Sequence, residues 1–335
     1  MSTEPSQLKP DTIFRNVLSI YSPMAMLAGM QLDVFTPLKD GALTAAELAR
    51  ALELPAAKLE TLLHSLVRAE LLTVDAGRFA NTPEANAFLV RGRTGYLGSS
   101  HELYADLWAN LLKLAGSIRA NAPLGKHDFG KMSDAELGAF LRGLHAGALV
   151  TGAQLAKQYG FERASALLDV GGGSGGVAIA ACQACPGLSA TIVELPRVVP
   201  FAVASVAEAN LTGRIRAAAV DVTATPPDGI FDVAVLRFFI QVLGKDAARR
   251  ALANVGKALR SGGQLIIVGH ILENSRLSPP HTVGQSLVML TIYEEGQAFT
   301  ESEYRDWLTA AGFLDIHVQF GVAPSGASFM SACKA

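Results

Sequence analysis

The chain of 335 residues predicts an α/β protein: a mostly parallel, helix-covered sheet ending in an antiparallel hairpin, preceded by a helical domain of winged-helix type. Three observations predict it. From about Ala166, short β-rich runs ("ALLDV", "SATIVEL", "IRAAAVDV", "FDVAVLRFF", "GQLIIVGHI") alternate with stretches of helical pattern, the pattern of parallel strands joined by crossover helices. The last pair, "DIHVQFGV" and "ASFMSACKA", has only "APSG" between its members, too little for a crossover and enough for a hairpin. Before residue 98 the order is helix, helix, helix, hairpin. Two domains are expected, residues 1–98 and 99–335.

Each element has its own local reason. Apolar residues recur at helical spacing through "IFRNVLSIYSPMAMLAGMQLDVF", predicting helix over 12–38. The stretch from Leu43 to Pro83 then holds two helices parted at Leu54–Pro55 and a hairpin turning at Asp75–Ala76–Gly77. Thr44 with Glu47 spells a capping box for the first of those helices. Winged helices often read DNA, but the second helix offers only Lys58, His64 and Arg68 among mostly apolar positions. A packing or dimer-forming role is expected instead. Residues 99–160 read as further helices carrying Trp108, Phe140 and His145.

Composition narrows the function classes. Half of the residues are hydrophobic, yet no apolar run reaches the roughly 18 residues a membrane span needs. The polar N-terminus "MSTEPSQLKPDTIF" lacks a secretory pattern. A net charge of −2 with interspersed signs gives no footprint for nucleic acid or anionic membrane. Three cysteines make no disulfide framework and fit a reducing cytoplasm. The lone CxxC of Cys182 and Cys185 has no second ligand pair, so helix packing is expected rather than a metal.

The densest signal is "LLDVGGGSGG", which follows a strand and opens a helix. Its glycines let the backbone turn tightly and approach a ligand, and the helix N-terminus offers free N–H groups. Gly171, Gly173 and Gly176 fit the dinucleotide fingerprint, while Asp169, Gly171, Gly173 and Gly175 fit the DxGxGxG loop of class I methyltransferases that bind S-adenosylmethionine. Glu194, at the end of the next strand run, can take both ribose hydroxyls of either cofactor. Asp221 ends the third run, where a carboxylate can accept from an adenine amino group with Val222 against the ring. The terminal hairpin belongs to the methyltransferase sheet and favours S-adenosylmethionine over a nicotinamide cofactor.

The whole chain resembles the small-molecule O-methyltransferases of the plant caffeate and hydroxyindole type and their bacterial relatives. The resemblance rests on the winged-helix front, "LLDVGGGSGG", "VELPRVV", "VDV", "ALRSGGQLIIV" and "FTESEYRDWLTAAGF". It implies a Rossmann-like methyltransferase sheet, a homodimer through the N-terminal domain, and a cofactor site lined by Asp169, Gly171, Gly173, Glu194, Leu195, Asp221, Val222 and Arg237. It also implies a histidine base between Arg237 and Asp246, oriented by two carboxylates. Here "RFFIQVLGKD" puts Gln241 at the histidine position, and the carboxylate positions fall on Gly269 and Ala298. A glutamine amide takes no proton at neutral pH but donates and accepts hydrogen bonds.

Candidate catalytic residues are therefore Gln241 and His145. Candidate pocket walls are Phe140, Leu144, Phe238, Met289 and Tyr293, with Trp108 beyond them, an apolar lining that predicts a flat acceptor. His270 is expected to point away from Gly269, by strand alternation. His281 lies on a loop, and His101 would count only if its helix lined the pocket. Three readings stay open: methyl transfer to a C-, N- or acidic O-acceptor of aromatic or polyketide type, a cofactor-binding relative with pericyclic, decarboxylating or hydroxylating chemistry, and a catalytically silent dimer.

Overall fold

A computed structural model describes residues 9–93, 95–126, 131–323 and 325–335, which form two compact units, Met1–Tyr104 and Ala105–Ala335. The boundary falls after Tyr104 rather than after residue 98 because Tyr104 still packs on the core of the first unit.

In the first unit, helices α1 (Asp11–Leu18) and α2 (Tyr21–Gln31) replace the single helix expected over 12–38. The Ser19 hydroxyl donates to the Asn16 carbonyl, competing with the helical ladder at the break. Asp33, at φ +53°, turns the chain out of α2. Strand β1 (Leu43–Thr44), helices α3 (Ala45–Leu52) and α4 (Ala56–Arg68), strands β2 (Leu72–Asp75) and β3 (Arg78–Asn81) and helix α5 (Pro83–Phe88) follow. The capping box forms: the Thr44 hydroxyl accepts from Glu47 N–H while the Glu47 carboxylate accepts from Thr44 N–H. The three strands pair in the order β1-β3-β2, and Phe35, Leu48, Leu63, Leu66 and Phe79 fill the core. Helix α1 contributes nothing to it: Ile13, Phe14, Val17 and Leu18 are each more than half exposed.

The second unit begins with α6 (His101–Leu111), which crosses the boundary, then α7 (Leu114–Ala120) and the long α8 (Asp134–Gln158). Strand and helix then alternate: β4 (Ala166–Val170), α9 (Gly176–Ala184), β5 (Ser189–Glu194), α10 (Val199–Glu208), β6 (Ile215–Ala219), β7 (Phe231–Arg237), α11 (Lys245–Ala258) and β8 (Leu259–Gly269). After β9 (Ile271–Leu272) come α12 (Pro280–Ile292), β10 (Phe299–Thr300), α13 (Glu301–Ala310) and the hairpin strands β11 (Phe313–Gln319) and β12 (Ser328–Lys334). The main sheet has seven strands in the order β11-β12-β8-β7-β4-β5-β6. Strands β6, β5, β4, β7 and β8 are parallel, and β12 and β11 antiparallel, the predicted architecture. Its two apolar faces are covered separately, one mainly by α8, α9 and α10 and the other by α11 and α13.

From β4 the chain winds outward through β5 and β6, then returns to the other side of β4 as β7 and β8. That reversal opens a crevice at the carboxyl ends of β4 and β7, where open α/β sheets bind ligands. Glycine allows the close approach beside it: a Cβ on Gly152 of α8 would lie 2.5 Å from the Val177 carbonyl of α9.

Candidate active site

The loop after β4 supplies one wall of the crevice. Gly171, Gly173 and Gly175 all have positive φ, and a Cβ on Gly171 would meet the Phe239 ring at 2.4 Å. Both facts require glycine there. The loop is tied to the next strand by Glu194, whose Oε1 accepts from Gly173 N–H at 3.0 Å and Oε2 from Leu195 N–H at 2.7 Å. Burial raises the pKa of this carboxyl, partly offset by those two N–H donors. A carboxylate has about four acceptor sites, so Glu194 keeps capacity on both oxygens.

Asp169 corrects the expectation of a residue facing the cofactor. It is fully buried beneath the loop, with Oδ2 accepting from Ala178 N–H at 3.2 Å in the first turn of α9. Among the described residues its Oδ1 has no partner. Burial drives its pKa up to about 7, against the pull of the Ala178 N–H and of Arg237. It holds the loop from behind. Val222 is likewise turned inward: Asn254 Nδ2 donates to its carbonyl at 3.0 Å, and its side chain joins the core. Asp221 stands exposed two residues beyond the end of β6, with Oδ1 accepting from the N–H and hydroxyl of Thr223. Leu195 is exposed and reaches the site through its N–H.

At the end of β7, Arg237 Nε donates to the Thr151 hydroxyl at 3.2 Å, and that hydroxyl donates to the Gly147 carbonyl at 2.8 Å. The guanidinium lies 4.6 Å from the centroid of the Phe238 ring, and burial lowers its pKa to about 10. On the same α8, His145 Nδ1 is 2.7 Å from the hydroxyl of Ser174 in the glycine loop. Burial lowers the imidazole pKa, with Glu208 opposing, so the ring is neutral around pH 7. The structure thus places His145 beside the loop, with no hydrogen bond to Gln241.

Gln241 is 4% exposed. Its Oε1 accepts from His270 N–H at 2.9 Å, and its backbone carbonyl accepts from Gln297 N–H at 2.9 Å. A Cβ on Gly269 would lie 2.9 Å from Oε1. Positions 241 and 269 are therefore in contact, with Ala298 one residue beyond the Gln297 bond. The His270 ring stacks on Phe238 at 5.1 Å and approaches His281 at 5.6 Å, while burial lowers its pKa to about 3. Phe238 itself sits at φ +54°.

The expected pocket residues divide into groups. Met289 packs with Val288, Ile292, Leu107, Leu111 and Tyr293, and burial holds the Tyr293 phenol well above its usual range. Phe140 packs elsewhere, against the cluster of Leu137, Leu141 and Val198. Leu144 is half-buried on α8 and Trp108 half-buried on α6. Sequence reasoning missed Thr151, Ser174 and Asn254, which position other groups rather than face the crevice. Only Ser174 carried a signal, as the one hydroxyl inside the glycine run. Among the described residues no cluster of three or more His, Cys, Asp or Glu could hold a metal, and no helix is long and apolar enough to cross a membrane.

Comparison with known proteins agrees with this geometry. Residues 14–91 match the O-methyltransferase dimerisation domain and residues 106–314 the O-methyltransferase domain. The chain is 28% identical over 340 residues to 3-hydroxy-5-methyl-1-naphthoate 3-O-methyltransferase of Streptomyces sahachiroi, covering 99% of this chain and 98% of that protein. It is also 28% identical over 329 residues to the N,N-dimethyltransferase OxyT of Streptomyces rimosus, covering 93% and 94%. The solved structure of human N-acetylserotonin methyltransferase in complex with SAM superposes with a TM-score of 0.81 at 21% identity, over 99% of this chain and all of that one. With a catalytic-domain match across most of its length and the glycine loop where that fold needs it, the chain belongs to the O-methyltransferase family and is an S-adenosylmethionine-dependent methyltransferase.

Proposed function

We propose that the protein methylates a small aromatic or polyketide-like metabolite whose acceptor atom needs no histidine base: a carbon, a nitrogen or an acidic oxygen. The observation that carries this reading is the contact of Gln241 with Gly269 and the Gln241–Gln297 bond beside Ala298, three positions that carry no imidazole or carboxylate of their own. The relatives fit the range of acceptors, since one is a naphthoate O-methyltransferase and another an N,N-dimethyltransferase. We also place the protein in the cytoplasm as a homodimer through its N-terminal unit, where α1 presents an unburied apolar face.

The residues present fit the methyl donor. The left-handed Gly171 and Gly173 let the loop turn over the end of β4, with Phe239 where a Cβ on Gly171 would go, Glu194 keeps acceptor capacity for two ribose hydroxyls, and Asp221 stands exposed for the adenine amino group. When bound, S-adenosylmethionine supplies an electrophilic methyl on a sulfonium. Glu194 orients, Arg237 fixes the end of β7 against α8, and the apolar group around Met289 excludes water from the acceptor, so positioning and desolvation supply the rate. His145, neutral and bonded to Ser174, steadies the loop.

The test is incubation of the purified protein with S-adenosylmethionine and a panel of phenols, indoles, hydroxyquinones and keto acids, reading S-adenosylhomocysteine and product mass. Stoichiometric S-adenosylhomocysteine and a product heavier by one methyl are expected. A converted acceptor with no S-adenosylhomocysteine would instead mark a non-methylating reaction that uses the bound cofactor as a fixed charge.

A further inference from the structure

We propose that Gln241 selects acceptors that are vinylogous acids, enolised 1,3-dicarbonyls or hydroxyquinones already anionic at neutral pH, by donating an amide N–H to an oxygen of the delocalised anion. The inference deepens the methyl-transfer reading and rests on it.

The orientation of the amide follows from its partner. A backbone N–H only donates, so the atom 2.9 Å from His270 N must be the amide oxygen. The NH2 group therefore points the other way. Among the described residues Nε2 has no hydrogen bond, yet it is not one of the sealed polar atoms without a partner, which include Asp169 Oδ1 and His270 Nδ1. A glutamine that is 4% exposed and bonded through its own carbonyl to Gln297 N–H has little freedom to turn. Glycine at 269 is part of the arrangement, because a Cβ there would crowd the amide oxygen.

Positions 241, 269 and 298 themselves supply no base. His270 is turned to Phe238 and His281, the Tyr293 phenol stays protonated in its buried setting, and positions 269 and 298 carry no ionisable side chain. An ordinary phenol would bring a proton that the Gln241 amide does not accept. A vinylogous acid has already lost its proton to solvent and spreads the charge over two oxygens and the carbon between them. One oxygen takes the Gln241 N–H, as a donor fixed in advance stabilises an anion. The other oxygen or the central carbon forms the new bond to the methyl carbon as the S–C bond breaks, its electron pair staying on sulfur. An anion and a sulfonium give a neutral product and a thioether, with no proton to move.

The test compares 2-hydroxy-1,4-naphthoquinone and 4-hydroxycoumarin with the ordinary phenols 2-naphthol and 4-methylphenol, using the full-length protein. Wild type should methylate the first pair at least about tenfold faster than the second. Binding is read separately, in S-adenosylhomocysteine, by titrating the hydroxyquinone and its methyl ether. Gln241→Glu keeps the bond to His270 N–H and replaces the donor with a negative charge. It should weaken hydroxyquinone binding on the order of 10- to 100-fold, the size of a lost charge-assisted hydrogen bond, leave the ether unchanged, and speed turnover of 2-naphthol. Gln241→Leu should lose the anion preference without that gain. Methylation of 2-naphthol as fast as of the hydroxyquinone overturns the inference but leaves methyl transfer standing. Selective, Gln241-dependent anion binding without S-adenosylhomocysteine formation from any probe sinks methyl transfer and keeps the anion site.

Discussion

Gly171 is the residue whose conformation and surroundings both forbid a side chain, at φ +61° with Phe239 where a Cβ would go. Gly171→Ala should cost about 1–3 kcal/mol of stability and weaken S-adenosylhomocysteine binding by roughly tenfold or more; calorimetric titration and melting check both. Asp169 gives a pH prediction. Its pKa rises from the ordinary 3.8 to about 7, so the fold favours the neutral acid. The stability it contributes is present below about pH 4 and is lost as pH rises toward 7. Asp169→Asn should melt like the parent near pH 4 and be more stable than it near pH 8, by roughly 4 kcal/mol at most. Equal stabilisation at both pH values would show that the charge is not penalised in the folded state. His270 has the opposite sense: its neutral form is favoured, so its contribution is full above about pH 6.5 and declines as pH falls toward 3.

At the scale of elements, the site depends on how closely α8 approaches α9. Gly152 meets Val177 backbone and Gly176 meets Ala148, so neither helix can move outward without shifting the glycine loop that precedes α9 and the His145–Ser174 contact. Gly152→Ala should destabilise by about 1–3 kcal/mol through overpacking and weaken donor binding together with stability, seen as parallel losses in melting temperature and S-adenosylhomocysteine affinity. Thr300 forms a capping box with Glu303 at the start of α13, its hydroxyl accepting from Glu303 N–H and its N–H donating to the Glu303 carboxylate. Thr300→Ala should cost about 1 kcal/mol of stability, read in the melting temperature. These element-level features were unevenly legible. The capping boxes stand in the sequence because their partners are three residues apart. The break between α1 and α2 did not, since apolar periodicity continues through Ser19 and only the local hydroxyl bond interrupts the helix.

For the whole molecule, α1 leaves Ile13, Phe14, Val17 and Leu18 exposed, more apolar surface than a lone helix keeps in water. Phe14→Glu with Val17→Glu should yield a monomer by light scattering, and an unchanged dimer would place the interface elsewhere. By itself the sequence determined the alternating strands and helices, the terminal hairpin, the glycine loop and the acids at the ends of β5 and β6. These depend on periodicity, turn chemistry and short spacings carried by neighbouring residues. Tertiary structure alone decided that Asp169 lies sealed behind its loop, that His145 meets Ser174, and that the Gln241 amide oxygen is held by His270 N–H. Each is a contact across 9 to 29 positions of chain, set by the register of β4, β7 and β8 and by the packing of α8, which no local pattern encodes.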